Sequence, residues 1–168
     1  YNALACIAVC KYYNIDNKII KRAIEKFQGV KRRFECKSKR RFIVHDYAHH
    51  PSEIKSVIAA TKSFINGKLI VAFQPHTYSR TKLLMHEFLE ALELCDEIYV
   101  IKTYSAREKP IKGGTAKDLF NNLIKKKKNV EYFANLDCCY NYILENLKKR
   151  DTLLILGAGD IDELADRF

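Results

Sequence analysis

Asp46, His49 and His50 fall in one short run, Asp46-Tyr47-Ala48-His49-His50-Pro51. A carboxylate and two imidazoles so close together suit metal binding, proton transfer, or contacts to hydroxyls and phosphate. A helix cap with satisfied surface histidines would explain the same letters. A metal would need a third ligand from His45 or His76, and neither spacing is diagnostic. A second run, Gln74-Pro75-His76-Thr77-Tyr78-Ser79-Arg80, sets an imidazole near a guanidinium. The planar fork of arginine matches a carboxylate in bidentate fashion. A polar loop feeding a helix start also favours anions. This segment therefore suits an amino-acid carboxylate or a phosphate, with an ordinary strand-to-helix loop as the alternative. Lys31-Arg32-Arg33-Phe34-Glu35 is either a phosphate contact or a solvated strand edge. Gly157-Ala158-Gly159 is a weak dinucleotide signal, because Asp162 stands where the third glycine of G-x-G-x-x-G belongs. A tight turn or close backbone approach explains it equally well.

These residues need elements to hold them. Helical spacing over residues 3–13 and 16–27 predicts two helices, the second capped by Asp16 and ended by Gly29. Strands are expected at 33–36 and 41–45, joined by a short turn as a hairpin. From there helices and strands alternate. A helix from Pro51 through 53–64 precedes the apolar strand 69–73, and a helix over 81–94 precedes a strand at 97–101. A helix at 115–124, a strand at 130–133, a helix at 136–147, a buried strand at 152–156 and a short helix near Asp160 complete the order. That rhythm indicates an α/β layer with a mainly parallel sheet. In such sheets ligands bind beyond the carboxyl ends of the strands. The runs after 45, 73, 101 and 156 all carry His, Arg, Tyr, Asp or Gly there, Lys102-Thr103-Tyr104-Ser105-Ala106-Arg107-Glu108 among them.

The 168 residues carry a net charge of +10. Lysines are spread out except for Lys125-Lys126-Lys127-Lys128, which reads as a solvated helix end. No basic-aromatic pattern resembles a nucleic-acid module, so no nucleic-acid partner is expected. No apolar run is long enough for a membrane span, and no membrane partner is expected. The six cysteines, Cys6, Cys10, Cys36, Cys95, Cys138 and Cys139, form no C-x-x-C pair. They read as buried, reduced thiols of a cytoplasmic protein. The chain starts at Tyr1-Asn2, inside an apolar helical pattern and without Met. It reads as a cut from a longer chain, with its first two helices the tail of a preceding domain.

Five motifs in register then carry a resemblance. Phe27-Gln28-Gly29-Val30-Lys31-Arg32-Arg33-Phe34-Glu35, Asp46-Tyr47-Ala48-His49-His50-Pro51-Ser52-Glu53 and Phe73-Gln74-Pro75-His76-Thr77-Tyr78-Ser79-Arg80-Thr81 are three of them. Tyr104-Ser105-Ala106-Arg107-Glu108 and Gly157-Ala158-Gly159-Asp160-Ile161 are the others. In order and spacing they resemble the C-terminal domain of UDP-N-acetylmuramate–L-alanine ligases, members of the Mur ligase family. Tyr1-Asn2-Ala3-Leu4-Ala5 resembles the end of a segment in the family's central ATPase domain. The resemblance implies residues 1–29 as the end of that domain and 30–168 as the C-terminal domain, a Rossmann-like, mainly parallel sheet flanked by helices.

It also implies a reaction: ATP phosphorylates the carboxylate of UDP-N-acetylmuramic acid, and the amine of L-alanine attacks the acyl phosphate to give an amide, ADP and phosphate. ATP and Mg2+ are the implied cofactors, bound mainly by the central domain. By resemblance Asn2 lies on the adenine side, Arg33 near phosphate and Asp46 near ribose. Tyr47, His49, His76 and Arg80 surround the alanine, with Arg80 on its carboxylate. Arg33, Asp46 and His49 are the implied catalytic residues. The chain departs from the pattern at His45, where the family usually has an acid, and at Thr77, where many members carry Arg. The turn from Lys37 to Arg40 is short and lacks the usual Gly. No G-x-x-x-x-G-K-[ST] phosphate loop occurs among the six glycines, so the 168 residues alone are expected to be inactive. Two other readings stand beside this one: a sister ligase that attaches a recycled tripeptide to the same sugar acid, and a binding module without catalysis. A metal hydrolase built on Asp46, His49, His50 and His76 is a third.

Overall fold

The computed structural model describes every residue except Tyr1, Gln28, Lys39, Arg40, Arg41, Lys127 and Lys128. Contacts divide the chain into two units, Tyr1–Val30 and Lys31–Phe168.

The first unit is a helix pair, α1 (Asn2–Tyr12) and α2 (Asn17–Lys26). Asp16 caps α2, its carboxylate accepting the Lys18 N–H at 2.8 Å. The helix stops at Lys26 with an extended Phe27, so the expected stop at Gly29 falls too late. Of the apolar face read from the sequence, Ile20 is buried, while Ile19, Ile24 and Phe27 are exposed.

Among its described residues the second unit holds a six-stranded sheet of β1 (Glu35–Ser38), β2 (Phe42–Asp46), β3 (Leu69–Phe73), β4 (Glu97–Ile101), β5 (Val130–Phe133) and β6 (Thr152–Leu156). The strand order is β1-β2-β6-β3-β4-β5. β1 pairs antiparallel with β2, and every other pairing is parallel. The helices are α3 (Pro51–Lys62), α4 (Tyr78–Leu83), α5 (Met85–Leu92), α6 (Ala116–Leu123), α7 (Leu136–Asn146) and α8 (Asp162–Ala165).

Two expectations shift. β1 begins two residues later than 33–36, because Arg32 and Phe34 adopt left-handed backbone, φ 61° and 50°, before the chain straightens. The single helix expected over 81–94 is two helices, α4 and α5, broken at Leu84 with φ −108°.

Alternation along each strand builds two apolar layers. Val44, Val71, Phe73, Val100, Leu154 and Leu156 face Ile54 and Ile58 of α3, Phe88 and Leu92 of α5, and Leu119 and Leu123 of α6. Ile43, Ile70, Ala72, Tyr99, Leu153 and Ile155 face Cys139 and Ile143 of α7 and Leu164 of α8. The chain steps outward from β3 to β5 and then returns, inserting β6 between β2 and β3. That reversal makes the carboxyl ends of β2, β6 and β3 a topological switch point.

Of the cysteines, Cys95 and Cys139 are buried thiols. Cys6, Cys36 and Cys138 are exposed and Cys10 is partly exposed, which corrects the expectation that all were buried. Cys138 and Cys139 are consecutive on α7, so only one can face the sheet. Within the lysine run, Lys126 pairs with Glu93 at 3.0 Å. Lys127 and Lys128 lie outside the described residues. Among the described residues no helix is long and apolar enough to cross a membrane.

Candidate functional site

Parallel register puts the strand tips level: Asp46 pairs with Leu156, and Phe73 pairs with the same Leu156 from the other side. The loops leaving β2 and β3 therefore start at one height, separated by one strand.

Asp46 ends β2. Its carboxylate is 6% exposed and tied on both oxygens, Oδ2 accepting the Phe34 N–H and Oδ1 the Ala48 N–H, each at 2.8 Å. The Tyr47 N–H donates to the Arg32 carbonyl at 2.7 Å. Together these bonds fasten segment 32–34 to the tip of β2. The two arginines of that segment differ. Arg32 turns inward, with its guanidinium 4.8 Å from the Tyr47 ring centroid, 3.2 Å from the Gly159 carbonyl and 3.3 Å from Asp162. Arg33 is exposed, 5.8 Å from the same ring.

His50 caps α3: its Nδ1 accepts the Ser52 N–H at 3.4 Å, while Glu53 accepts the N–H groups of His49 and His50. The helix-cap explanation thus holds for His50. His49 points elsewhere. Its Nδ1 lies 3.0 Å from the Tyr47 carbonyl, which can only accept, so Nδ1 carries a proton and the acceptor position of the neutral ring is Nε2. The Tyr47 ring packs edge-on against His49 at 5.2 Å.

The His49 ring centroid is 5.7 Å from that of His76, which comes from the β3 loop. Arg80 Nη1 makes a long contact of 3.5 Å to His76 Nδ1. Guanidinium only donates, so His76 accepts on Nδ1 and presents Nε2–H. Burial, then the Arg80 charge, then His49, hold the His76 pKa below the usual imidazole range. Tyr104 stacks on His76 at 5.4 Å, and its loop is laced to the β3 loop by Tyr104 N–H to the Pro75 carbonyl and Thr77 N–H to the Tyr104 carbonyl, both 2.9 Å.

The structure therefore brings Tyr47, His49, His76 and Arg80 together, with Arg33 beyond Tyr47 and Asp46 beneath. Asn2 belongs to the first unit, on α1. Among the described residues no group of three or more His, Cys, Asp or Glu side chains is placed to hold a metal ion.

The Gly157-Ala158-Gly159 turn serves packing. A Cβ on Gly159 would fall 2.5 Å from both Tyr104 Cγ and Gln74 Oε1. Gln74 also donates to Asp160 at 2.6 Å and accepts the Ile161 N–H at 3.1 Å, locking this turn to the β3 loop. A cleft of about 570 Å³ lies beyond Tyr104, lined by Gln74, Thr103, Asn135, Asp160 and Arg167 among others. His49, His76 and Arg80 do not line it. Sequence reasoning assigned no role to Tyr104, Glu108 or Gln74. The signals that could have found them are their position in strand-tip loops and their place in the quoted motifs.

The chain was compared with known proteins. Residues 32–159 match the family model described as Mur ligase, glutamate ligase domain. A UDP-N-acetylmuramate–L-alanine ligase of Caldanaerobacter subterraneus subsp. tengcongensis is 40% identical over 170 residues, covering 100% of this chain and 37% of that protein. The enzyme of the same name from Caldicellulosiruptor bescii is 39% identical over 168 residues, again 37% of its length. The crystal structure of UDP-N-acetylmuramate-alanine ligase from Thermotoga maritima superposes with a TM-score of 0.80 at 30% identity, covering 99% of this chain and 36% of that one. The chain thus spans little more than a third of the relatives it matches.

Proposed function

The chain belongs to the Mur ligase family, and on that premise we propose that it is the carboxy-terminal, amino-acid-binding part of a cytoplasmic ATP-dependent ligase that joins L-alanine to UDP-N-acetylmuramic acid in peptidoglycan precursor synthesis. The observation that carries this reading is the meeting of His49, His76 and Arg80 at one switch point. The likeness of the whole chain to named alanine ligases supports it. In the same proposal residues 1–29 end the central ATP-binding domain, with Asn2 toward adenine, and residues 30–168 form the C-terminal domain.

In the proposed reaction the sugar-acid carboxylate takes the γ-phosphoryl group of ATP, releasing ADP. The alanine amine, having lost a proton, attacks the acyl carbon; the C–O bond to phosphate breaks, and nitrogen sheds a second proton. The chain's own residues position the amino acid. Arg80 offers its fork to the α-carboxylate. The free Nε2 of His49 accepts a hydrogen bond from the ammonium, while His76 Nε2–H donates. Tyr47 backs His49. Arg33, exposed and cationic, is assigned to the nucleotide phosphates. Asp46 acts chiefly by holding the segment that carries Arg33, with a lone pair on each oxygen left for a ribose hydroxyl. Holding amine and acyl phosphate together removes much of the entropic barrier. Mg2+ and most contacts to the ATP phosphates, those beyond Arg33, are assigned to the central domain, and no step is assigned to a metal in this chain.

A ligation assay tests the proposal. The full-length protein carrying these residues is given ATP and UDP-N-acetylmuramic acid, with L-alanine and the recycled-type tripeptide in parallel. Formation of the alanyl product with stoichiometric ADP is expected. Exclusive use of the tripeptide would move the chain to the sister activity, and no ADP release with either would remove the ligase reading.

A further inference from the structure

The loop after β4 reaches back over the amino end of α4. Glu108 Oε2 accepts the N–H groups of Tyr78 and Ser79 at 2.8 and 2.9 Å, and Oε1 accepts the Ser79 hydroxyl at 2.5 Å. Getting the carboxylate there takes unusual backbone. Ala106 and Arg107, neither of them glycine, are both left-handed, φ 46° and 74°, and the Glu108 N–H closes the turn onto the Ser105 carbonyl at 2.9 Å. On the receiving side Thr77, a β-branched residue, sits at φ 68°. Left-handed non-glycine residues persist only where surroundings over-determine them, and they gather at binding sites. Three of them lie in the two loops that carry His76 and Glu108.

The consequence concerns Arg80. Its charge acts on Glu108, yet no ion pair within 4.0 Å joins them among the described residues, and the guanidinium instead contacts His76. The oxygens of Glu108 are already engaged by Tyr78 and Ser79. An arginine left beside a loose carboxylate would close on it and meet an incoming substrate carboxylate as a competitor.

We propose that Glu108 is a positioning residue: bound to Tyr78 and Ser79, it fixes the first turn of α4 so that Arg80 stays open toward His76 and receives the carboxylate of the amino-acid substrate. This deepens the ligase reading and rests on it. Ser79 belongs to the same device, because its hydroxyl occupies the Glu108 oxygen that would otherwise be free to turn toward Arg80.

Two measurements on the full-length protein test it. In steady-state kinetics Glu108→Ala raises KM for L-alanine at least tenfold, with kcat and KM for ATP within about twofold. Glu108→Gln, which keeps the shape and one acceptor, recovers part of the loss. Ser79→Ala raises the same KM and Ser79→Thr restores it. An unchanged alanine KM, or parallel loss of kcat and both KM values, overturns the proposal. Amide NMR reads the contact whatever the substrate is. The Tyr78 and Ser79 N–H resonances should titrate together with Glu108, at a midpoint below the usual glutamate range, and lose that titration in Glu108→Gln. Amides that do not respond overturn the proposal. A protein whose amides respond but which never uses L-alanine has lost the ligase reading alone.

Discussion

His49 and His76 leave different strands, with β6 between them, yet their ring centroids lie 5.7 Å apart. Each has its protonation pattern set by a different neighbour, His49 by the Tyr47 carbonyl and His76 by the Arg80 guanidinium. In the neutral rings one therefore has its acceptor and the other its N–H at Nε2. In the proposed reading an amino acid supplies the matching set, its ammonium facing the imidazoles and its carboxylate facing Arg80.

Gly159 sets the far wall of this arrangement. Gly159→Ala would put a Cβ 2.5 Å from the Tyr104 ring, so Tyr104 must leave His76 or the turn must move. Overpacking of this kind costs about 1–3 kcal/mol. Thermal unfolding should register that loss, and KM for L-alanine should rise several-fold as His76 loses its stacking partner. A variant with wild-type melting temperature and kinetics would show that the turn is not coupled to the site.

Asp46 should behave as a fastener. Asp46→Ala leaves the Phe34 and Ala48 N–H groups without their acceptor, at about 1–3 kcal/mol for the buried Ala48 donor and less for the part-buried Phe34 one. Asp46→Asn should rescue poorly, because an amide provides one acceptor oxygen where two oxygens are used. Denaturant unfolding checks both; a fully stable Asp46→Asn contradicts the two-sided role.

His45 is 0% exposed, and neither ring nitrogen has a partner among the described residues. Burial, then Arg32 and Lys37, hold its pKa below the usual 6.5, against smaller opposing effects of Glu35 and Asp162; Asp166 also lies near. Above pH 6.5 the imidazole is neutral both folded and unfolded, so no pH-dependent penalty exists. As pH falls through 6.5 the unfolded chain takes up the proton first and stability drops, levelling off below the folded pKa. His45→Leu should raise stability by about 1–3 kcal/mol through loss of the unmade bonds and should flatten the acid limb. His76 adds a smaller limb of the same sign. Melting curves from pH 8 to pH 5 decide it: an acid limb unchanged by the substitution would assign the effect elsewhere.

The depressed His76 pKa also bears on activity. Protonation would set an imidazolium beside Arg80 and remove the acceptor on Nδ1. The kcat/KM for L-alanine should therefore fall on the acid side with a midpoint below 6.5. His76→Gln, which cannot titrate, should lack that limb while binding alanine less well. A midpoint above 6.5 would contradict the neutral, Arg80-facing imidazole.

Much of this was legible from the residues. Continuous apolar strands such as Leu69–Phe73, the cap at Asp16 and the proline helix start at Pro51 depend on local sequence, so the element order and the mainly parallel sheet could be read directly. The clustering of His, Arg and Tyr at strand ends points to the same loops that the structure brings together. The less legible features depend on the backbone. Left-handed Arg32 and Phe34 displaced β1, and nothing in those side chains announces that conformation. The break at Leu84 split a run whose apolar spacing looks continuous. Exposure of Cys36 and Cys138 follows from strand and helix facing, which cysteine itself does not encode. Glu108 is visible in the Tyr104–Glu108 motif, but its role is not, because two of its three bonds are to backbone N–H groups, which nearly every residue possesses.

The decisive measurement is the dependence of ligation on L-alanine in the full-length protein and in Arg80→Lys. Lysine keeps the charge and loses the fork. If the strand tips form an amino-acid site, the unmodified protein makes the alanyl product, and Arg80→Lys raises KM for L-alanine by about tenfold or more, the equivalent of roughly 1.4 kcal/mol, with KM for ATP unchanged. Equal alanine dependence in the two proteins, or a loss confined to ATP, would contradict the assignment of Arg80 and with it the site.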